Sequence, residues 1–131
     1  MSMLLHAGSK IHYNNQVPKF MSQMSFFCGH HQDCDEFESE SMFNRALQNF
    51  ERWFVVTGVL EHLNESMAVM EAFLPRYFKG ASKNLEIINH NSLQPSVSFH
   101  VREEISRNMS REIEFYNIVR QKLFKQLLSI G

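Results

Sequence analysis

Apolar residues repeat at helical spacing from Ser41 onward: Phe43, Ala46, Leu47, Phe50 and Phe54, with Asn44, Arg45, Gln48, Asn49 and Arg52 opposite them. That period predicts an amphipathic helix. Ser39 or Ser41 suits its N-cap, and Glu38 and Glu40 suit the positive end of its dipole. The run Trp53-Phe54-Val55-Val56-Thr57-Gly58-Val59 is β-branched and apolar on both faces, which predicts a buried, parallel-type strand. A second helix is expected from about Leu60, with Leu63, Met67, Met70 and Leu74 in one stripe. Pro75 lies near its end, and Tyr77-Phe78-Lys79-Gly80 closes it with a glycine stop. Residues 81–98 form a polar connector. A helical tract then runs from about Ser98 to Ser129, striped by Val101, Ile105, Met109, Ile113, Tyr116, Val119 or Arg120, Leu123 and Leu127, with a break near Asn108. Residues 1–24 lack a sustained period, and Asn14-Asn15 and Pro18 act as turn signals there. Helix, strand and helix in this order predict part of an α/β layered domain. A single central-type strand has both edges unpaired. The expectation is therefore the C-terminal piece of a larger α/β domain.

Composition narrows the class. With 131 residues, 44% hydrophobic and 21% charged, the chain is globular in composition and amounts to at most one domain. Twelve Phe and eight Met supply core material, and the net charge of -1 gives no electrostatic case for nucleic-acid or membrane-surface binding. No run reaches the ~18 apolar residues that a transmembrane helix needs. Met1 to His6 is too short and uncharged for a signal peptide. Arg111, Arg120, Lys122 and Lys125 on the last tract read as a solvated face.

The stretch Ser25-Phe26-Phe27-Cys28-Gly29-His30-His31-Gln32-Asp33-Cys34 holds both cysteines of the chain. Three readings are open for them. A disulfide needs the loop to fold back, which Gly29 and the polar run permit, and would place the chain in an oxidising compartment. Two free buried thiols are the second reading. A zinc site would recruit Cys28, Cys34 and two of His30, His31, His6 or His12, but its cysteines would sit further apart than the usual two to four positions. Asn64-Glu65-Ser66 and Asn108-Met109-Ser110 fit the N-glycosylation acceptor pattern, which adds a little weight to a lumenal setting. A lumenal chain without a visible means of entering the lumen leads to the expectation that its N-terminal part is missing.

Four of these pieces occur in series: Ser25-Phe26-Phe27-Cys28-Gly29-His30 with Cys34, then Val55-Val56-Thr57-Gly58-Val59-Leu60-Glu61, then Leu74-Pro75-Arg76-Tyr77-Phe78-Lys79-Gly80-Ala81, then Glu114-Phe115-Tyr116. In this order they resemble the C-terminal part of the 2-O-sulfotransferases that act on uronic acids of glycosaminoglycans, over about residues 17 to 127. That family takes in the uronyl, heparan sulfate and Pipe-like enzymes. The resemblance implies an α/β sulfotransferase domain with a P-loop-like phosphate site, of which this chain would be a mostly helical portion with one buried strand. It implies sulfuryl transfer from 3′-phosphoadenosine 5′-phosphosulfate (PAPS) to the 2-hydroxyl of a hexuronic acid in heparan, dermatan or chondroitin sulfate, without a metal. It also implies a type II membrane protein of the Golgi lumen that can form homo-oligomers.

The family's phosphate loop and catalytic histidine lie upstream of the Cys28 loop, so no catalytic residue is expected here and the isolated chain should be inactive. Cys28 and Cys34 match the family's disulfide pair. The connector after Gly80 matches the loop that closes over the cofactor's adenosine and 3′-phosphate. Asn89, Asn91 and Ser92 are the candidates for polar contacts there and Leu85 for an adenine contact, against ordinary turn chemistry for the asparagines. His30 and His31 are read as structural or rim residues, and Glu61, Arg76 and Lys79 as packing or surface residues. A different class is a short or degenerate relative that binds glycan or a partner without catalysis.

Overall fold

The computed structural model describes residues 22–84 and 98–131, and every regular element among them is helical. The chain divides into two compact units. The first takes in the described residues 22–54 and 98–116, and the second 55–84 and 117–131.

In the first unit, α1 (Gln23–Cys28) starts at Ser22, whose hydroxyl accepts from Ser25 N at 3.0 Å. It stops at Gly29, whose φ of 92° suits a residue without a Cβ. A 3-10 turn follows at Gln32–Cys34, then α2 at Glu40–Trp53. Ser39 is the N-cap of α2, with its hydroxyl accepting from Met42 N at 3.0 Å. The buried face of α2 is Met42, Ala46 and Phe50, flanked by half-buried Phe43 and Leu47, so the face expected from the period holds at Ala46 and Phe50 and extends to Met42. α1 packs on it, with Met24 and Cys28 of α1 both buried. α6 (Phe99–Asn108) buries none of its residues, and α7 (Ser110–Ile130) follows after a break at Met109. α7 begins in the first unit and belongs to the second from Asn117.

The first unit's core is aromatic. Half-buried Phe27 meets the rings of Phe26, Phe50, Phe54 and Phe115 at centroid distances of 5.4, 5.8, 4.7 and 5.1 Å. Phe50 and Phe115 meet at 5.9 Å and are both buried. Tilted and edge-on pairs of this kind add to the stabilisation from burial alone.

In the second unit, α3 (Leu63–Phe73), preceded by a 3-10 turn at Leu60–His62, packs on α4 (Pro75–Phe78) and α5 (Ala81–Asn84). Pro75 takes the first position of α4, where a missing N–H costs no hydrogen bond. Val59, Ser66, Val69, Val119 and Leu123 are buried.

The strand expected over Trp53–Val59 is not formed among the described residues. Trp53 closes α2, and Phe54 (φ -103°, ψ 100°) and Val59 (φ -118°, ψ 120°) have extended backbone, but no strand is formed with them among the described residues. Trp53 and Val55 are 67% and 61% exposed, so the run is buried only at its end, at Val59. Composition made the segment extended, as β-branched residues do, but a ladder needs a neighbour. Side chains take that neighbour's place. The Ser66 hydroxyl accepts from Val59 N at 2.8 Å and donates to Val59 O at 3.1 Å, while Gln126 Nε2 donates to Val55 O at 2.7 Å. Ser66→Ala would leave both polar groups of Val59 without that partner. It should lower stability by about 1–2 kcal/mol, while Asn64→Ala on the exposed side of the same helix should change it by less than about 0.5 kcal/mol. Equal denaturation midpoints for the two variants would refute this role of Ser66.

Candidate functional site

The cysteine loop is built by α1, the 3-10 turn and the polar side of α2. Cys28 ends α1, Cys34 ends the turn, and the two are joined by a disulfide with Cα atoms 5.8 Å apart. Both are buried, at 3% and 0% exposure. An oxidised pair offers no thiolate, so the zinc reading loses its two sulfur ligands. Among the described residues no group of three His, Cys, Asp or Glu side chains is arranged to hold a metal ion. His31 is exposed and caps the turn through Nδ1, which accepts from Asp33 N at 3.2 Å; His30 is exposed too. Arg45 holds the turn from α2, with Nε and Nη2 donating to Asp33 Oδ2 at 3.1 and 3.0 Å. Asn49 Nδ2 donates to the carbonyls of Phe27 and Cys28 at 3.0 and 3.1 Å, satisfying two of the open acceptors at the end of α1. The period placed Arg45 and Asn49 on a solvent face, and the loop covers part of that face. Replacing both cysteines by serine should destabilise the chain by about 2 kcal/mol, the loop-closure value for so short a ring. Chemical denaturation of the oxidised protein and the double variant would measure it, and identical midpoints would show the bridge to be dispensable.

Two carboxylates join segments far apart in the chain. Glu112 on α7 is 3% exposed. Its Oε2 accepts from Ser22 Oγ at 3.0 Å, and its Oε1 from the backbone N–H groups of Gln23 and, at 3.2 Å, Met24. It thus caps the start of α1 from 90 positions away. Burial pushes its carboxyl above the ordinary range, the hydrogen bonds from Ser22, Gln23 and Met24 oppose that, and the nearby Glu38 charge adds to the rise. Glu38 sits at φ 62°, a strained setting for a residue with a Cβ. Its Oε2 and Oε1 accept from the backbone N–H groups of Arg111 and Glu112 at 2.9 and 2.8 Å, and Arg111 Nη1 donates to Glu38 O at 2.7 Å. Each carboxylate therefore meets the positive end of a helix. With their oxygens engaged this way, Glu38 and Glu112 serve as helix caps that tie distant segments together.

A third carboxylate fixes the approach to the connector. Glu71 on α3 accepts from Gly80 N at 2.7 Å through Oε1 and from the Ser82 hydroxyl through Oε2. Gly80 has φ 81°, which a glycine adopts readily. The Ser82 hydroxyl first, and then the Gly80 N–H, lower the Glu71 pKa. With a folded pKa below the unfolded one, this latch stabilises the fold above the unfolded pKa and is lost as pH falls through the folded one. The Gly80 amide resonance should therefore titrate with a midpoint lower than that of the same carboxyl in the unfolded chain. A midpoint at or above the unfolded one, or no titration, would rule the latch out. The connector residues Leu85, Asn89, Asn91 and Ser92 lie outside the described residues.

The remaining candidates are on the surface. Asn64 is exposed in the first turn of α3, Asn108 is the exposed last residue of α6, and Glu61, Arg76 and Lys79 are exposed. The bonding roles of Glu112, Ser66 and Glu71 were missed at the sequence level, and Glu38, expected at the start of α2, accepts from the start of α7 instead. One signal was present for Glu112: it stands in step with Met109, Phe115, Val119 and Leu123, an acid within an apolar stripe. Among the described residues no helix is long and apolar enough to cross a membrane.

Comparison with known proteins supplies what this geometry alone does not. No family model and no solved structure matches the chain. Curated proteins do. The chain is 32% identical over 131 residues to the uronyl 2-sulfotransferase homolog pip of Drosophila melanogaster, covering 94% of this chain and 26% of that protein. It is 31% identical over 124 residues to uronyl 2-sulfotransferase of Mus musculus, covering 86% of this chain and 30% of that one. Heparan sulfate 2-O-sulfotransferase 1 of Xenopus laevis matches at 35% over 65 residues, 50% of this chain and 18% of the relative. The chain thus spans between about a sixth and a third of the length of these relatives. Similarity to uronyl 2-sulfotransferases runs along most of the 131 residues, and the chain belongs to the uronyl and heparan sulfate 2-O-sulfotransferase family.

Proposed function

We propose that this chain is the C-terminal portion of a PAPS-dependent 2-O-sulfotransferase domain acting on hexuronic acids of glycosaminoglycans in the Golgi lumen. The carrying observation is the match to the fly relative, over 94% of this chain but 26% of that protein. PAPS would supply the sulfuryl group, and the acceptor polysaccharide the 2-hydroxyl that receives it. The sequence has no Gly-rich or Lys-Ser/Thr phosphate loop between a strand and a helix, so no step of the transfer is assigned to its residues. Its part in the site would be the connector, with Leu85 toward the adenine and Asn89, Asn91 and Ser92 toward the 3′-phosphate. Glu71 would hold the near end of that connector. A lumenal, membrane-anchored and homo-oligomeric enzyme is the corresponding reading of the whole protein.

The test begins with the transcript, read in frame upstream of Met1. The product of any longer frame and the 131-residue chain are then assayed for transfer of labelled sulfate from PAPS to desulfated heparin, dermatan and chondroitin. The expected result is 2-O-sulfated uronic acid from the longer product and no transfer from the short chain. Sulfation confined to the amino sugar would overturn the reading. A transcript that starts at Met1, with glycan binding and no transfer, would make the chain a non-catalytic relative instead.

A further inference from the structure

We propose that Asn108, and not Asn64, carries an N-linked oligosaccharide. The inference rests on the lumenal reading above and on three features of the fold. The first is the disulfide between Cys28 and Cys34, a bond that persists in the oxidising compartments where such glycans are added. The second is the joint between α6 and α7. Asn108 closes α6, Ser110 opens α7, and Met109 between them leaves the helical path at φ -128° and ψ 37°. Asn108 and Ser110 are both exposed while Met109 is 4% exposed, so the joint turns inward the one residue whose side chain the acceptor pattern does not specify. The transferase needs the asparagine amide and the hydroxyl two residues on at the same time. At the joint the helical path is interrupted between Asn108 and Ser110, and both residues are exposed in the folded chain.

The third feature is the contrast with the other acceptor triplet. Asn64, Glu65 and Ser66 are consecutive helical residues of α3. Ser66 is 1% exposed, and its hydroxyl is taken by both polar groups of Val59. Once α3 forms, the serine cannot be read together with the asparagine. The Ser66 hydroxyl also has a full structural reason to be there, so that triplet needs no modification to explain it.

The co-reactant is an oligosaccharide linked to a lipid pyrophosphate. The Asn108 Nδ2 forms a bond to the sugar C1, the C1–O bond to the pyrophosphate breaks, and the displaced amide proton leaves with the lipid pyrophosphate. A bulky, soluble group is accommodated there because the side chain already faces water.

The chain is expressed behind a signal sequence, and its mass is compared before and after enzymatic removal of N-glycans in isotopically heavy water. The expected result is the loss of one glycan, with the Asn→Asp label at position 108. Asn108→Gln should abolish the shift, Ser110→Thr should keep it, and Asn64→Gln should leave it unchanged. A chain with Cys28 and Cys34 oxidised but no glycan would overturn the proposal, as would a glycan lost in Asn64→Gln. A glycan at Asn108 on a protein that transfers no sulfate would sink the enzymatic reading alone, so the two fail separately.

Discussion

Phe50→Ala should lower stability by about 3–5 kcal/mol, the range for removing a fully buried aromatic ring. Phe50 is 1% exposed and lies against Phe27 and Phe115, so truncation removes ring contacts and leaves a void that neighbouring helices cannot fill without moving. Trp53, one turn further along α2 and 67% exposed, is the control. Its replacement by alanine should cost less than about 0.5 kcal/mol, as for most surface positions. Chemical denaturation of the three proteins decides the matter. A Phe50 variant as stable as the Trp53 variant would mean that the ring cluster is not the core of its unit.

Glu112→Ala should cost about 2–4 kcal/mol, because three donors at the start of α1 lose their acceptor together. Glu112→Gln keeps the volume and one acceptor oxygen, so its cost should be smaller, and it isolates the charge. Burial raises the folded pKa of Glu112 above its unfolded value. The stabilisation linked to its proton is therefore complete below the unfolded pKa and disappears as pH rises through the folded one. The advantage of the natural protein over Glu112→Gln should accordingly be largest in acid and shrink toward neutrality. Glu38 and Arg111, the charged neighbours at this junction, are present in both proteins. An advantage that grows with pH would mean that the hydrogen bonds outweigh desolvation and that the carboxylate is the favoured form.

The sequence was most legible where one physical rule acts alone. Helix α2 followed its period and its Ser39 cap, and the interruption near Asn108 is the joint at Met109. The buried side of α7 was read correctly at Val119 and Leu123 and one position out at Ile113 and Tyr116, where Glu112 and Phe115 are buried instead, because an acid in the apolar row counts against burial in any pattern that scores apolarity. The strand over Trp53–Val59 failed for another reason: composition reports a preference for extended backbone, and pairing depends on a partner elsewhere. Ser66 and Glu71 gave no warning, since serine and glutamate on a helix are ordinarily solvent-facing and the bonds they form reach back seven and forward nine positions. The cysteine loop was recognisable through the resemblance, not through geometry, because the same spacing suits a bridge or two thiols. The cofactor contacts at Leu85, Asn89, Asn91 and Ser92 rest on the resemblance as well.

The cap on α1 has a consequence for the order of events during synthesis. Six residues are too few to hold a helix in water unaided, and the acceptor that completes this one is Glu112, translated 90 residues after Ser22. The cysteines are only six positions apart and can meet by local chain diffusion long before that. Oxidation should thus precede the settling of α1. A nascent chain stalled before Glu112 would then carry the Cys28–Cys34 bridge on a segment still open to protease, and protection would arrive only with the last helix.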